Sequence, residues 1–567
     1  MTKSAPLPAI TNLYHGVASD KNSRAFLWQV FEVLLWGAVG LAVTFSMMTF
    51  RPKPLWDDSF QYLNVASNIR SGNGIATNLV YFDAERSHGR IPAPLTTFPP
   101  GYPALVAMLA DLAGGAEAAA RGLSAICFVG TAALLAFILI AVRVTVFART
   151  TVLLLFVANA VSVDFSTAVL SESMFVFIFT AAIVALSRAW WGFQRPRGHL
   201  PWIIAGLTLA GLSYWIRYAG LFLILAVVLY IGLRYLRLRG HVGASELYAT
   251  LIPIALAGVL IARNVLIVGN WKGGNDLQVS HTLHGVMANF VRDQLHLLLG
   301  EHAVKFGVWE GLLLIGLLGL GALLVRVLIR DGPEGNTVFP RAHGFWTLPL
   351  TCAVVYSAGL CYAGLHTVIT FGTRMFLPVL PLYLILFGLL MHWLNSRARF
   401  TGGKLWFRVA LCALAIGYIG VNARDLKGPQ PKSSLDTLSA LFAEQTGDGQ
   451  RLSDWVNAHI DPATVIAAQD GQATGYLLHR RTLGLVESEF SAERWECPEI
   501  RTQMSRFGAR YLILYRHPDN DSHLLEESRF AAAAASGQPG CGFVIASQNL
   551  DVRILEIAPL PGAGGSQ

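Results

Sequence analysis

LWQVFEVLLWGAVGLAVTFSMM, residues 27–48, is the first of several apolar stretches that decide the fold, and the polar segment TFRPKPLWDD, residues 49–58, follows it directly. A helix needs about 20 mostly apolar residues to cross a bilayer. Residues 27–48 are long enough, and residues 1–25 lack the apolar core of a cleavable signal peptide. We therefore predict that the first apolar stretch is a membrane-spanning helix.

The composition of the whole chain excludes most classes of soluble protein. Of its 567 residues, 54% are hydrophobic and only 14% are charged, and the mean hydropathy is +0.49. An average soluble domain has about 25% charged residues. A disordered protein, a coiled coil, a collagen and an ordinary cytosolic enzyme are thereby excluded. A polytopic α-helical membrane protein remains.

Apolar stretches of spanning length recur along the chain and predict about 11 transmembrane helices. The third and fifth stretches are short, so the count depends on how each is divided from the stretch that follows it. The predicted spans are residues 27–48, 119–142, 150–164, 167–187, 201–214, 218–235, 247–267, 306–329, 346–365, 374–393 and 405–421.

The positions of the basic residues predict the orientation of these spans. Short connecting loops that carry Lys and Arg face the cytoplasm, and every second connection of this chain is short and basic when the N-terminus is placed inside. The residues are Lys21, Arg24, Arg143, Arg149, Arg188, Arg195, Arg197, Arg234, Arg237, Arg239, Arg330, Arg341, Arg397, Arg399, Lys404 and Arg408. These loops explain the net charge of +8 without a nucleic-acid partner, and an odd number of spans places the C-terminus outside.

The same topology divides the chain into regions. We predict a cytoplasmic N-terminus at 1–26, a transmembrane domain at 27–421, an outer α/β domain at 422–558 and a disordered tail at 559–567. Two long outer loops interrupt the transmembrane domain, the first at 49–118 and the second at 268–305. Because the inner connections are short, we expect the function to reside at the outer face.

Two cysteines, Cys497 and Cys541, lie in the predicted outer domain. The space outside a bacterial inner membrane is oxidising, which favours disulfides. A bridge between these two residues is one hypothesis, and two free thiols are the other.

The first loop begins with an acidic pair, Asp57 and Asp58, at the start of a helical pattern. Either residue could simply cap that helix, because carboxylates accept the free N–H groups there. Adjacent carboxylates raise each other's pKa, and such pairs are tolerated where a cation, a substrate or a proton transfer uses them. Glu85 lies later in the same loop, in a polar stretch that could equally be solvated surface.

Several short motifs along the chain resemble those of the C-type (GT-C) membrane glycosyltransferases, such as protein O-mannosyltransferases and the aminoarabinose transferases that act on lipid A. The order and outer placement of the motifs carry the resemblance more than any one of them. They are Asp57-Asp58, Arg70-Ser-Gly-Asn-Gly74, Phe98-Pro-Pro-Gly-Tyr-Pro103, Leu170-Ser-Glu-Ser-Met174, Arg217-Tyr-Ala-Gly220, Arg263-Asn264 and Arg374-Met-Phe-Leu-Pro-Val-Leu-Pro381.

The resemblance implies a polyprenyl-phosphate sugar donor, inversion at the anomeric carbon and a general base in the first loop. The base is then Asp57, with Asp58 as the second candidate, because many relatives have Asp-Glu where this chain has Asp-Asp. The resemblance also implies a second acidic residue late in the loop, for which Glu85 is best placed.

Glycosyl transfer also needs cations at the leaving phosphate. Arg374 is the preferred candidate because it lies between a polar outer loop and a proline-containing span. Arg217, Arg263 and Arg292 also lie near outer span ends, where the alternative for each is a side chain that extends to the lipid headgroups. Two acidic residues are predicted to support the site. Glu172 lies one turn into a span, where we expect an arginine partner, and Asp164 lies at the same outer surface.

The second loop carries His281 and His284 at a spacing that could hold a metal. An amphipathic helix lying on the membrane over 286–299 is the other interpretation. Because some members of the GT-C family use a divalent metal and others do not, the resemblance leaves a divalent cofactor open.

The sequence therefore predicts an inverting glycosyltransferase at the outer face of a bacterial cytoplasmic membrane. Its partners would be a polyprenyl-phosphate sugar, membrane lipids and a lipid, glycan or protein acceptor, and we expect a monomer. A flippase or transporter of lipid-linked sugars is the main alternative, and a non-catalytic scaffold or sensor is a third. Transporters favour inverted repeats and paired broken helices, which this sequence does not show.

Overall fold

The structure of the chain, a computed structural model, describes residues 15–80, 87, 89–191, 199–238, 244–273, 281–300, 346–366, 372–397, 401–427, 447–468, 470–485, 497–515, 543–548 and 552–557. The predicted span 306–329, Glu85, Cys541 and the tail 559–567 lie outside these residues. The side chains of Asp57 and Cys497 are also outside the description, although both backbones are included.

Most of the described chain is helical, in a bundle of long apolar helices. The helices before the second loop are α1 (His15–Phe50), α2 (Asp57–Arg70), α3 (Gly101–Ala113), α4 (Ala116–Ala141), α5 (Val146–Val157), α6 (Ala160–Phe165), α7 (Glu172–Trp191), α8 (Leu200–Ile216), α9 (Gly220–Leu238), α10 (Ala244–Ala249) and α11 (Leu251–Val268). From the second loop onward they are α12 (Leu283–Leu299), α13 (Thr347–His366), α14 (Thr373–Phe376), a 3-10 turn at Leu377–Val379, α15 (Leu380–Arg397) and α16 (Thr401–Lys427).

The helices agree with a multi-pass membrane protein. Seven of the described helices are long and apolar enough to cross a membrane, and four shorter apolar helices accompany them. Ten of the eleven predicted spans coincide with described helices, and the eleventh is the one outside the description.

The predicted span 150–164 is wrong at its end. Helix α5 stops at Val157, and Asn159 begins the separate helix α6 by accepting a hydrogen bond from the Ser162 N–H at 2.9 Å. Asn is among the residues that cap helices best, because its side chain replaces the missing backbone acceptor. A local helix cap therefore divides an apolar stretch that composition alone predicts to be one continuous helix.

The predicted span 167–187 begins later than expected, at Glu172. Two side chains of α4 donate hydrogen bonds to backbone carbonyls just before Glu172, and the helix does not extend to these residues. Arg121 donates to the Thr167 carbonyl at 3.1 Å, and the Ser124 hydroxyl donates to the Ala168 carbonyl at 2.7 Å. Glu172 is therefore the first residue of α7 rather than a residue one turn inside it.

A six-stranded sheet lies at one end of the bundle, here called the sheet end. Five of its strands follow α16, together with helices α17 (Gly447–His459), α18 (Gly471–Leu477) and α19 (Cys497–Arg506). These strands are β4 (Ile466–Ala468), β5 (Thr482–Gly484), β6 (Tyr511–Tyr515), β7 (Phe543–Gln548) and β8 (Val552–Ile557). The sixth is β2 (Leu79–Val80), from the first loop, where β1 (Ala76–Thr77) and β3 (Ala93–Pro94) form a small antiparallel ribbon.

The strand order, β2-β5-β4-β6-β8-β7, ties the first loop to the C-terminal segment. Strand β2 pairs in parallel with β5, with Leu79 opposite Thr482. The sheet is therefore built from two distant parts of the chain and not from 422–558 alone. Phe60 of α2 belongs to the hydrophobic core on one face of this sheet, and its ring lies 5.1 Å from that of Tyr476 in α18.

Gly101 shows why the Pro-Pro-Gly motif is needed where α3 begins. A Cβ at this position would lie 2.6 Å from the backbone oxygen of Trp215, at the end of α8. Only glycine allows so close an approach. The motif thus brings the return of the first loop against the end of α8, two residues before Arg217.

Asp470, the N-cap of α18, is a buried carboxyl that accepts a hydrogen bond from the Ala473 N–H at 3.0 Å. Burial raises its pKa from 3.8 to about 6, although the N–H groups of Ala473 and Gln472 oppose the shift. A raised pKa means that the folded state holds the proton more tightly than the unfolded state. The stabilising contribution is therefore complete at low pH and is lost as pH rises through about 6.

We predict that Asp470→Asn stabilises the protein progressively as pH rises from about 4 to about 7. Asn keeps the capping oxygen but does not titrate. The measurement is the difference in thermal midpoint between variant and wild type across this pH range. Asp461→Asn, at an exposed residue of the same region, is the control. A difference for Asp470→Asn that is equal at every pH would contradict the assignment.

Candidate active site

Two carboxylates and two arginines converge at the sheet end of the bundle. Arg374 Nη1 lies 3.2 Å from Asp58 Oδ2 and 3.8 Å from Glu172 Oε1. Arg217 Nη1 lies 2.8 Å from the same Glu172 oxygen. The four groups join α2, α7, the end of α8 and α14, and we call them the charge cluster.

Glu172 is the centre of the charge cluster. It is 2% exposed and contacts both arginines, whereas the Arg374 side chain remains 30% exposed. An ionised carboxylate is buried at acceptable cost only when cations pair with it. The arginine partner expected for Glu172 is thus Arg217, with Arg374 as a second.

Helix α2 places the acidic pair at its first turn. Its N-cap is Trp56, whose backbone N–H donates to the Ser59 hydroxyl at 3.0 Å, so neither Asp occupies the capping position. Asp57 is the first residue of the helix, and the carboxylate of Asp58 is committed to Arg374. The Trp56 ring adds a cation–π contact, with its centroid 5.9 Å from Arg374 Cζ.

Neutral polar groups complete the surroundings of the charge cluster. The Ser171 hydroxyl accepts a hydrogen bond from Arg217 Nη1 at 3.1 Å and lies 3.2 Å from the Tyr62 hydroxyl. Burial, with a smaller contribution from Asp58, raises the pKa of Tyr62, so this phenol stays neutral. A small pocket opens between the arginines. It is lined by Glu172, Phe175, Arg217, Tyr356, Arg374, Met375 and Pro378.

A second ion pair fixes the start of the first loop. Lys53 Nζ lies 2.8 Å from Asp164 Oδ2, and Lys53 is 7% exposed. Arg121 also donates to the Lys53 carbonyl at 2.7 Å. Since Arg121 holds Thr167 as well, one side chain of α4 braces both the segment before Asp58 and the segment before Glu172.

Comparisons with known proteins show which fold holds these groups. No protein-family model matches the sequence, and no curated protein matches it. Among solved structures, the chain is similar to ArnT, an aminoarabinose transferase, from Cupriavidus metallidurans bound to undecaprenyl phosphate, with a TM-score of 0.54 and 13% identity over 94% of this chain and 99% of that one. The apo state of the same ArnT gives 0.55 and 12% identity, over 93% of this chain and 98% of that one.

An oligosaccharyltransferase from Archaeoglobus fulgidus, in complex with Zn and sulfate, is also similar. Its TM-score is 0.50 and its identity 12%, over 94% of this chain and 74% of that one. ArnT and this oligosaccharyltransferase are both GT-C glycosyltransferases. The chain has the GT-C fold. At 12–13% identity these comparisons show the fold alone, and the chemistry has to be argued from the residues of the site.

Three other candidate cations or metal ligands take no part in the ion pairs that define the charge cluster. Arg263 donates to the Leu95 carbonyl at 2.9 Å and thus holds the return of the first loop. His284 is exposed on α12, and His281 is half-buried just before that helix. Among the described residues, no group of three or more His, Cys, Asp or Glu side chains could hold a metal ion.

Sequence reasoning missed several neutral members of the site. Tyr62 could have been found, because it lies four residues after Asp58 on the same face of a predicted helix. Ser171 is adjacent to Glu172 in the motif Leu170-Ser-Glu-Ser-Met174, but its residue type alone does not indicate a role. Tyr356 carries no local signal, since it lies within an apolar span and reaches the site through packing between α13 and α14, where its hydroxyl donates to the Met375 carbonyl at 3.0 Å.

We predict that Glu172→Gln destabilises the protein by about 3–5 kcal/mol, because it removes the buried charge of the pair and leaves the half-buried Arg217 without its counter-charge. Thermal unfolding in detergent measures the change. Arg70→Gln is the control, since it breaks the exposed ion pair with Asp111 and should cost about 0–1 kcal/mol. Equal effects of the two substitutions would show that the charge cluster contributes no more than a surface pair.

Proposed function

We propose that the protein is an inverting glycosyltransferase that transfers a sugar from a polyprenyl phosphate to an acceptor hydroxyl. The observation that carries this proposal is the charge cluster, in which Arg217 and Arg374 line a pocket while Glu172 and Asp58 pair with them, in the GT-C fold. The undecaprenyl phosphate bound by ArnT supports a polyprenyl-phosphate donor.

The leaving phosphate requires compensation of its negative charge. When the bond between the anomeric carbon and the phosphate oxygen breaks, the phosphate gains one negative charge. Arg374 and Arg217 can balance it through charge-assisted hydrogen bonds. Glu172 holds both guanidinium groups on one side, and Arg374 is accessible enough to meet a lipid headgroup.

The acceptor hydroxyl must lose its proton as its oxygen bonds to the anomeric carbon. We assign the general base to Asp57, because the carboxylate of Asp58 is already paired with Arg374. Asp58 then serves to orient Arg374. A single displacement inverts the anomeric centre, by the logic that applies to inverting glycosidases.

The proposal includes a location. The charge cluster lies at the sheet end, and the basic connections predicted to be cytoplasmic lie at the other ends of the spans, so the reaction would occur at the outer face of a bacterial inner membrane. The N-terminus would be inside and the C-terminus outside. The acceptor would be a lipid, a glycan or a protein that reaches this face, and the working unit a monomer.

We predict that Asp57→Asn lowers transfer by about 10²–10⁴-fold, the usual contribution of a general base, without loss of expression or thermal stability. The measurement is a mass comparison of envelope glycolipids and glycans from a deletion strain that carries wild-type protein or a variant. Asp111→Asn, at an exposed carboxylate of the first loop, is the control and should restore the sugar.

The same comparison identifies the sugar class from the mass that disappears. Full restoration by Asp57→Asn would move the base to Asp58 or Glu85. Accumulation of an undecorated lipid intermediate at the inner side would instead favour a flippase.

We predict that Arg374→Ala weakens binding of undecaprenyl phosphate by about 10- to 100-fold, since hydrogen bonds to charged groups contribute roughly 1.5–3 kcal/mol. The affinity of Arg374→Lys should lie between those of wild type and Arg374→Ala, because Lys keeps the positive charge but not the planar guanidinium. Titration of the detergent-solubilised protein measures the affinity. Arg510→Ala removes the same charge from an exposed position just before β6 and serves as control. An unchanged affinity for Arg374→Ala would reduce this residue to a headgroup anchor.

A further inference from the structure

Helix α12 of the second loop packs on the short helix that carries Arg374. Its residues 290, 293, 294 and 297 recur at helical spacing and form one face. On this face the Phe290 ring lies 5.4 Å from that of Phe376, and Asp293 Oδ1 accepts a hydrogen bond from the Thr373 hydroxyl at 3.2 Å. Thr373 is the residue directly before Arg374.

Burial of the Asp293 carboxyl costs free energy. Asp293 is 7% exposed, and its second oxygen, Oδ2, has no hydrogen-bond partner in the described structure. Burial raises the pKa of this carboxyl, and the hydrogen bond from Thr373 opposes the shift. A hydrophobic residue would pack there at lower cost. The hydrogen bond to Thr373 is the specific interaction that Asp293 makes in the described chain.

Helix α14 cannot fix Arg374 by itself. It has four residues, Thr373–Phe376, and a single helical turn is unstable in isolation. It runs into the 3-10 turn at Leu377–Val379, and its own residues are held from two sides, by Asp293 at Thr373 and by the Tyr356 hydroxyl at the Met375 carbonyl. Loss of either hydrogen bond would let the backbone of Arg374 shift.

The other end of α12 is anchored in the bundle. Asn159 Nδ2 donates to the Leu297 carbonyl and to the Tyr418 hydroxyl, both at 2.8 Å. Asn422 Oδ1 accepts from the Ala160 N–H at 2.7 Å. Asn159 and Asn422 are fully buried. Helix α12 is therefore fixed to α6 and α16 at Leu297, one turn after Asp293, which makes it a firm support for α14.

We propose that Asp293 is a positioning residue, which acts through Thr373 to place the Arg374 guanidinium at the donor phosphate. The proposal rests on the proposed function, because phosphate binding by Arg374 belongs to that function. It gives the second loop a defined task at a site that is otherwise built from the first loop and the spans.

The test measures the affinity for undecaprenyl phosphate and the thermal midpoint of the full-length protein. Thr373→Val and Asp293→Leu each remove one partner of the hydrogen bond, whereas Thr373→Ser and Asp293→Asn keep a hydroxyl and a side-chain oxygen. Thr131→Val is the matched control. It removes another buried hydroxyl, which donates to the Cys127 carbonyl within α4 at 2.8 Å, far along the chain from Arg374.

We expect Thr373→Val and Asp293→Leu to weaken binding of undecaprenyl phosphate roughly 3- to 10-fold, the worth of one hydrogen bond. Thr373→Ser and Asp293→Asn should bind like wild type, and Thr131→Val should leave the affinity unchanged. The double variant Thr373→Val/Asp293→Leu should be no weaker than either single variant, because both remove the same interaction.

Two results would overturn the inference alone. In the first, Arg374→Ala weakens binding but Thr373→Val and Asp293→Leu do not. In the second, both variants lower the thermal midpoint as Thr131→Val does and leave the affinity intact. If wild-type protein does not bind undecaprenyl phosphate, the proposed function fails and this inference fails with it.

Discussion

The cost of burying charge governs the centre of this structure. Glu172 is almost fully enclosed, and no carboxylate persists there as an ion without cations close by. Arg217 and Arg374 supply those cations from the end of α8 and from α14, and Arg374 in turn reaches Asp58 on α2. Four separate parts of the chain are brought together by one requirement for charge compensation. The same arrangement leaves two guanidinium groups beside a pocket.

The supports of this site come from three directions. Arg121 of α4 holds the segments that precede Asp58 and Glu172. The sheet region contacts α2 through the rings of Phe60 and Tyr476, and strand β2 ties the first loop to the sheet. Helix α12 holds the helix of Arg374 through Asp293. A guanidinium positioned in this way can bind a phosphate with little reorganisation, which is the condition under which electrostatic stabilisation is most effective.

Much of the architecture was accessible from local pattern. Spans are predicted well because hydrophobicity over about 20 residues is a local property with a strict physical threshold. The prediction failed where a local cap interrupted an apolar stretch, at Asn159, and where side chains of another helix held backbone carbonyls, before Glu172. Of the groups that meet in the charge cluster, Asp58, Glu172, Arg217 and Arg374 were candidates from their placement and from the GT-C resemblance. Tyr62, Ser171 and Tyr356 were not, because neutral polar residues near spans carry little signal.

The sequence by itself determined the membrane class, the helical spans, the long loops and the residues that bear charge at one face, because each of these follows from composition and spacing over short distances. Only the tertiary structure decided which charges meet. Asp58 and Arg374 are 316 residues apart, and Asp293 and Thr373 are 80 residues apart. Strand β2 joins a sheet whose other strands lie hundreds of residues later. Hydrophobic periodicity indicates which face of a helix is buried, but it does not indicate which other element packs against that face. The partner of a buried charge is settled by packing, where the cost of an unpaired group selects one arrangement of the whole chain.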